Sequence, residues 1–109
     1  MSCRCSEPPF YYKDYESTDI GVDQTDGRNG EVSIHRCRSC GTLWLKYLIE
    51  WEWYSGSGRW YRGHVTPGQA EGITPQKAAE LLKRAEWHFK GGSYYKSDGI
   101  RVQGGASLF

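Results

Sequence analysis

Four cysteines, arranged as two close pairs, are the residues of this chain whose spacing points most clearly to chemistry. Cys3 and Cys5 form a C-x-C pair, and Cys37 and Cys40 form a C-x-x-C pair. A structural zinc ion is held by four ligands in a tetrahedron, and cysteine thiolates are among the ligands it prefers. The sequence therefore predicts one Zn²⁺ bound by Cys3, Cys5, Cys37 and Cys40.

The second cysteine pair is the stronger indication of a zinc site. A C-x-x-C turn points both thiolates at one ion, and Gly41 lets the chain turn away there through a positive φ angle. The first pair is tighter than the common spacing, so His35 remains an alternative ligand to Cys3 or Cys5. Because four protein ligands leave no open coordination position, the predicted metal is structural and ties the N-terminus to the middle of the chain.

Two other uses of the cysteines compete with zinc. Two disulfides are possible, but no apolar stretch follows Met1, so no secretory signal is expected and the chain is predicted to be cytoplasmic, where thiols stay reduced. A redox couple of the thioredoxin kind requires a strand followed by a helix, whereas the residues after Cys40 alternate like a strand. The zinc site is favoured over both.

Length and composition predict a single zinc-stabilised domain over residues 1–109. The chain has 109 residues, a size that accommodates one hydrophobic core, and 15% of them are aromatic, which argues against disorder. No apolar run approaches the roughly 20 residues that a membrane-spanning helix needs, so no membrane partner is predicted.

Charge is distributed unevenly along the chain. Residues 1–31 contain seven acidic and three basic residues, whereas residues 32–109 contain six acidic and eleven basic ones. Residues 19–30 are rich in Gly, Asp and Asn and are predicted to form a loop. We interpret Asp19, Asp23 and Asp26 as a docking site for a basic protein partner, because opposite electrostatic fields speed association; a plain solvated loop is the alternative.

Residues 42–54 have the clearest strand pattern. Every second side chain, including Ile49, is a leucine, isoleucine or aromatic residue, so these side chains fall on one face of a strand and the residues between them on the other. A turn at residues 55–58 leads to a partner strand at residues 59–65. The predicted register places Tyr54 opposite Arg59. The second face of this hairpin is interpreted as a mixed aromatic and charged partner-binding surface, with burial of both faces as the alternative. Its predicted partner-binding residues are Trp44, Tyr54, Arg59 and Tyr61.

A helix is predicted to begin at Thr74 and Pro75 and to run to about Lys90, because Thr favours the N-cap and Pro the first helical position. An apolar stripe on this helix would cover the sheet. Its other side would present Lys83, Arg84 and Trp87 to a partner. The predicted fold class is therefore α+β, with a small antiparallel sheet, a four-cysteine zinc knuckle and one main helix.

Catalytic motifs are missing from the sequence. It contains no phosphate-binding loop, no nucleophile elbow and no H-x-E with P-C-x-x-C pattern of a zinc deaminase. The chain is therefore predicted not to be an enzyme.

The segment Cys37-Arg-Ser-Cys-Gly-Thr-Leu-Trp44 resembles the knuckle and following strand of zinc-ribbon proteins. The rest of the chain, with Trp-Glu-Trp-Tyr and Gly-Gly-Ser-Tyr-Tyr, is loosely similar to small cytoplasmic immunity proteins of bacterial toxin systems. That resemblance implies a protein that binds and occludes a cognate toxin. The leading hypothesis is thus a zinc-stabilised protein-binding module. The alternatives are a nucleic-acid-binding protein that uses residues 32–109, and a non-catalytic subunit of a larger enzyme.

Overall fold

The computed structural model describes residues 10, 12–24, 30–49, 59–92 and 99–106. These residues form an antiparallel sheet of six strands in which each strand pairs with the next along the chain. The strands are β1 (Tyr15–Asp23), β2 (Gly30–Cys37), β3 (Leu43–Ile49), β4 (Arg59–Val65), β5 (Trp87–Gly92) and β6 (Ile100–Gln103). A 3₁₀ turn (Tyr12–Asp14) precedes β1.

Two short helices, α1 (Pro67–Ala70) and α2 (Pro75–Lys83), connect β4 to β5. The predicted start of the main helix is confirmed. The Thr74 hydroxyl accepts a hydrogen bond from the Lys77 backbone N–H at 3.3 Å, and Pro75 occupies the first turn. This contact satisfies one of the amide donors that every helix start leaves without an intrahelical partner.

The predicted end of this helix is wrong, and with it the predicted α+β fold class. Helix α2 ends at Lys83 rather than Lys90, and Trp87–Gly92 forms β5, so the described residues form a β-rich domain with small helices. The C-terminal segment stops the helix, because the Ala106 N–H donates to the Leu82 carbonyl at 2.8 Å. Aromatic residues in 87–89 then favour a strand.

The predicted hairpin register is also wrong. Arg59 pairs with Ile49 instead of Tyr54, and the residues between Ile49 and Arg59 lie outside the described part of the chain. A shift by an odd number of residues moves every side chain of one strand to the other face. Tyr61 therefore pairs with Tyr47, on the face opposite to the predicted one. Tyr54 lies outside the described residues.

The predicted loop at residues 19–30 is wrong for its first part, because residues 19–23 belong to β1, and residues 25–29 lie outside the described part of the chain. β1 continues to Asp23, with a bulge between Asp19 and Gly21 where the register shifts. The Asp19 carboxylate accepts a hydrogen bond from the Gly21 N–H at 3.2 Å, which stabilises the bulge. Asp26 lies outside the described residues.

Helix α2 covers one side of the sheet, which we call the helix face. The predicted alternation of β3 is confirmed there, because Leu45, Tyr47 and Ile49 are all buried against the helix. Leu82 and Ala78 of α2 pack onto them, as the helix stripe predicted. This cluster is the main hydrophobic core.

The opposite side of the sheet, which we call the aromatic face, has a second core. Tyr15, Trp44 and Phe89 are buried together with Cys37. Phe10 lies over them, with its ring centroid 5.0 Å from that of Phe89. Phe10 therefore covers part of this face.

Candidate functional site

The strand register aligns a row of six residues across the aromatic face, five of them charged or polar. Starting at the β1 edge, the row is Asp19, Ser33, Lys46, Arg62, Phe89 and Arg101. Residues directly opposite on neighbouring strands have Cβ atoms about 5 Å apart. The row thus places two cations, Lys46 and Arg62, side by side.

Arg62 is the most deeply buried cation of the row, with 3% of its surface exposed. Its guanidinium lies 4.4 Å from the centroid of the Phe10 ring and 4.5 Å from that of the Tyr15 ring. Aromatic rings attract cations through their negative faces, and the attraction grows when water is excluded. Phe10 and Tyr15 therefore hold the guanidinium in a fixed position on the sheet.

His35 connects Arg62 to Ser33 through its two ring nitrogens. Arg62 Nη1 lies 3.4 Å from His35 Nδ1, and His35 Nε2 lies 3.0 Å from Ser33 Oγ. A guanidinium can only donate, so Nδ1 accepts and the ring proton is on Nε2, which donates to Ser33. Burial, and then the charges of Arg62 and Lys46, lower the pKa of His35 from 6.5 to about 4.

This Ser–His contact has the opposite polarity to that of a hydrolase. An imidazole that activates a serine must accept the hydroxyl proton, whereas His35 presents its own N–H to Ser33. The low pKa also makes His35 a weak base. The arrangement orients the Ser33 hydroxyl and does not activate it as a nucleophile.

A groove of about 420 Å³ lies beside the covered part of the aromatic face, over β1 to β3. Lys46 and Ser33 line it, and both are half-buried. Burial and the charge of Arg62 lower the pKa of Lys46, whereas Glu31 acts in the opposite direction. Asp19 and Glu31 are exposed residues of the same lining.

The Cys37–Cys40 turn is followed by the positive φ angle that the sequence predicted at Gly41. The Gly41 N–H donates to the Cys37 carbonyl at 2.9 Å, and Gly41 has a φ of 77°. Cys37 is buried, whereas Cys40 is exposed with its Sγ 3.0 Å from Thr42 Oγ1. In the described part of the chain no third metal-binding side chain joins this pair, and Cys3 and Cys5 lie outside that part.

Three of the predicted partner-binding residues are in the interior. Trp44 and Tyr61 are 2% and 5% exposed, and Asp23 is fully buried. The Tyr47 hydroxyl donates to the Asp23 carboxylate at 2.6 Å. Burial therefore removes these residues from the binding surface that the sequence predicted.

The remaining predicted partner-binding residues are spread over the molecule. Asp19 is exposed on β1, and Lys83 and Arg84 are exposed at the end of α2. Trp87 is a half-buried residue of β5, with Arg101 4.3 Å from its ring centroid. Arg59 begins β4. Among the described residues, the ones predicted to bind a partner therefore do not lie at one site, and Tyr54 and Asp26 are outside that part of the chain.

Sequence reasoning missed Lys46, Arg62 and Ser33. The signal was present only in part, since Lys46 and Ser33 each alternate with apolar residues of their strands and so belong to the face opposite to the helix. Their proximity depends on the register of β2, β3 and β4, which the sequence alone did not give. His35 was considered as a zinc ligand, but both of its ring nitrogens contact Arg62 or Ser33.

Opposite charges lie at opposite edges of the sheet. Within the described residues, β1 has a neighbour on one side only, and it exposes Glu16 and Asp19. β6 is the other edge strand and exposes Arg101, next to the exposed Lys90 of β5. The charge asymmetry of the sequence thus becomes an asymmetry between two edges.

Comparison of the chain with protein-family models, with curated proteins and with solved structures found no match. Among the described residues, no helix is both long and apolar enough to cross a membrane. Function must therefore be argued from the geometry.

Proposed function

We propose that this protein is a protein-binding module that recognises a basic surface of its partner through the β1 edge. The observation that carries the proposal is the position of the acidic residues. Glu16 and Asp19 are exposed on an edge strand, and Asp14 is exposed just before it. Charges on an open edge are accessible to a partner and accelerate association with an oppositely charged surface.

The backbone of β1 adds directional contacts to this charge. The Arg38 N–H donates to the Asp14 carbonyl at 2.9 Å, which fixes the hydrogen-bonding phase of the β1–β2 ladder. In an antiparallel ladder, alternate residues direct their N–H and C=O groups away from the partner strand. Ser17 is such a residue, so its backbone is directed toward the open edge. Carboxylates on this edge disfavour pairing of two copies and favour a basic partner.

As a specific form of this function, we propose a toxin-neutralising immunity protein. Binding of the β1 edge to a basic surface of a toxin would cover that surface and block its action. The small size and the exposed acidic edge support this proposal.

Nucleic-acid binding receives less support. A platform for unpaired bases needs exposed aromatic rings, because each base stacks on a ring face. On the aromatic face, Tyr15, Trp44 and Phe89 are all buried. The rings of this face thus act mainly as a second core.

We also propose that the cysteines hold a structural zinc ion. Two contacts support this proposal: the Arg38 N–H donates to the Asp14 carbonyl, and Phe10 packs on Trp44, so the described residues nearest to Cys5 in sequence include Phe10 on the aromatic face. Phe10 follows Cys5 by five residues, a distance of about 17 Å at most in an extended chain. In the proposed closed site, Cys3, Cys5, Cys37 and Cys40 would hold a zinc ion that supplies folding free energy and no chemistry.

Affinity capture with edge variants tests the binding function. The wild-type chain is used as bait in a lysate of its native host, together with a Glu16→Lys, Asp19→Lys double variant. A Glu71→Lys, Glu86→Lys double variant is the matched control, because both residues are exposed away from β1. We expect one protein at near-equimolar yield with the wild type and the control, and its loss with the edge variant. Equal capture by all three baits, or no equimolar protein, would contradict the proposal.

A further inference from the structure

The groove over β1 to β3 contains a cation, Lys46, that forms no ion pair with any described residue. Lys46 is half-buried there, and among the described residues it forms neither a hydrogen bond nor an ion pair. A buried charge without a partner is costly, because it loses hydration and gains nothing in return. An anion in the groove would supply the missing partner.

The charged neighbours of Lys46 make an anionic partner for it more favourable. Arg62 lies directly opposite on β4, and like charges at opposed positions of a sheet destabilise it. Arg62 and burial together lower the pKa of Lys46, and they outweigh the effect of Glu31. The electrostatic potential at the floor of the groove is therefore positive.

A chain of hydrogen bonds orients the Ser33 hydroxyl so that it can donate a hydrogen bond at the floor of the groove. Arg62 donates to His35 Nδ1, and His35 Nε2–H donates to Ser33 Oγ. With its oxygen already accepting, Ser33 has its own O–H to donate, and chains of this kind polarise each successive bond. Ser33 pairs directly with Lys46 across the two strands. Two donors, one of them charged, thus lie side by side at the floor.

The exposed charged residues of the groove, Asp19 and Glu31, are negative. Asp19 lies at the β1 end of the row, two strands away from Lys46 and therefore about 10 Å from it along the sheet. Glu31 is also exposed, and Val22 and Leu48 add apolar surface. A simple anion would be repelled by these carboxylates, whereas a molecule with a separate cationic group would be attracted.

We propose that this groove binds a small zwitterion whose carboxylate accepts hydrogen bonds from Ser33 and Lys46 and whose ammonium group contacts Asp19. An amino acid with its two charges separated by several carbon atoms belongs to this class. The site requires no partner protein, so its test is independent of the protein-binding function, although Asp19 belongs to both surfaces.

Titration with three related compounds tests the ligand class. The probes are 6-aminohexanoate, which carries both charges, hexanoate, which carries only the carboxylate, and hexylamine, which carries only the ammonium. Backbone amide shifts in ¹H–¹⁵N NMR spectra of the full chain report binding at β1 to β3. We expect saturable, roughly millimolar binding of 6-aminohexanoate, several-fold tighter than either singly charged probe. No saturation, or equal affinity of hexanoate, would overturn the proposal.

Variants then test the residues. Lys46→Met should weaken 6-aminohexanoate binding by about tenfold or more, since a charge-assisted hydrogen bond is lost, whereas Lys90→Met on β5 should leave it unchanged. Asp19→Asn provides a second test that leaves the interior intact. It should weaken binding of 6-aminohexanoate and hexylamine but not of hexanoate. Equal affinities of the wild type and either groove variant for 6-aminohexanoate would overturn the proposal, and the NMR spectra confirm that each variant is folded.

Discussion

The hydrogen bond between Tyr47 and Asp23 links β3 to the end of β1, and its removal should destabilise the fold. The Tyr47 hydroxyl lies 2.6 Å from the Asp23 carboxylate oxygen, and both side chains are fully buried. Tyr47→Phe removes only the hydroxyl and keeps the ring that packs in the main core. The variant therefore isolates one contact to a buried acidic group.

The expected magnitude follows from burial and charge. A hydrogen bond to a charged group contributes about 1.5–3 kcal/mol, and its loss leaves a buried carboxylate with one donor fewer. We expect Tyr47→Phe to lower the free energy of unfolding by about 2 kcal/mol. In a double-mutant cycle with Asp23→Asn, the coupling energy should be about 1.5 kcal/mol or more, because the two side chains are in direct contact.

Urea unfolding followed by circular dichroism measures these free energies. Asp19→Asn is the matched control, since Asp19 is exposed on the same strand and its loss should change stability by about 0.5 kcal/mol or less. The reasoning is refuted if the coupling energy is below about 0.5 kcal/mol, or if Asp19→Asn is as destabilising as Asp23→Asn.

Two further predictions concern the steric effect of a side chain at Gly105 and the pH dependence of stability. Gly105→Ala should lower the free energy of unfolding by about 1–3 kcal/mol, because the new Cβ would overlap the Lys83 carbonyl, while the Cβ of Gly68→Ala would make only an ordinary contact with Thr66 Oγ1 at 3.9 Å and should be nearly neutral in the same urea assay. Since the pKa of His35 falls from 6.5 in the unfolded chain to about 4 in the fold, its contribution to stability is lost as pH falls from 6.5 toward 4. Unfolding at pH 7 and 4.5 should show the wild type losing about 2 kcal/mol more than His35→Gln; equal losses would contradict the assigned burial.

Local signals in the sequence were sufficient for several elements. The start of α2 depends on Thr74 and Pro75, and the turn after Cys40 depends on Gly41, so both could be read from a few adjacent residues. The alternation of β3 is also local, because each side chain of a strand faces away from its neighbours.

Other features depend on contacts between distant segments. The end of α2 involves Ala106, more than twenty residues along the chain, which donates to the Leu82 carbonyl. The β3–β4 register is also a contact between segments, because the alternation within β3 does not by itself select the pairing of Ile49 with Arg59. Tertiary contacts thus decided where the helix ends and how the two strands align.

The candidate site was the least predictable part of the molecule. Lys46, Arg62 and Ser33 come from three different strands, and only the register aligns them. Asp23 is the opposite case, a residue that the sequence assigned to a binding site and that the structure places in the core. Its acidic surroundings in the sequence indicated a docking loop, whereas its pairing with Tyr47 makes it part of the core.

Metal analysis of the purified full chain tests most directly the claim that a four-cysteine site fastens the N-terminal segment to the sheet and makes the module rigid. Zinc content and the melting temperature would be measured for the wild type, for Cys40→Ser and for a Cys3→Ser, Cys5→Ser double variant. We predict about one zinc per wild-type chain, with loss of zinc and a lower melting temperature in both variants. A wild type without zinc, or a double variant that keeps its full zinc content, would contradict the claim.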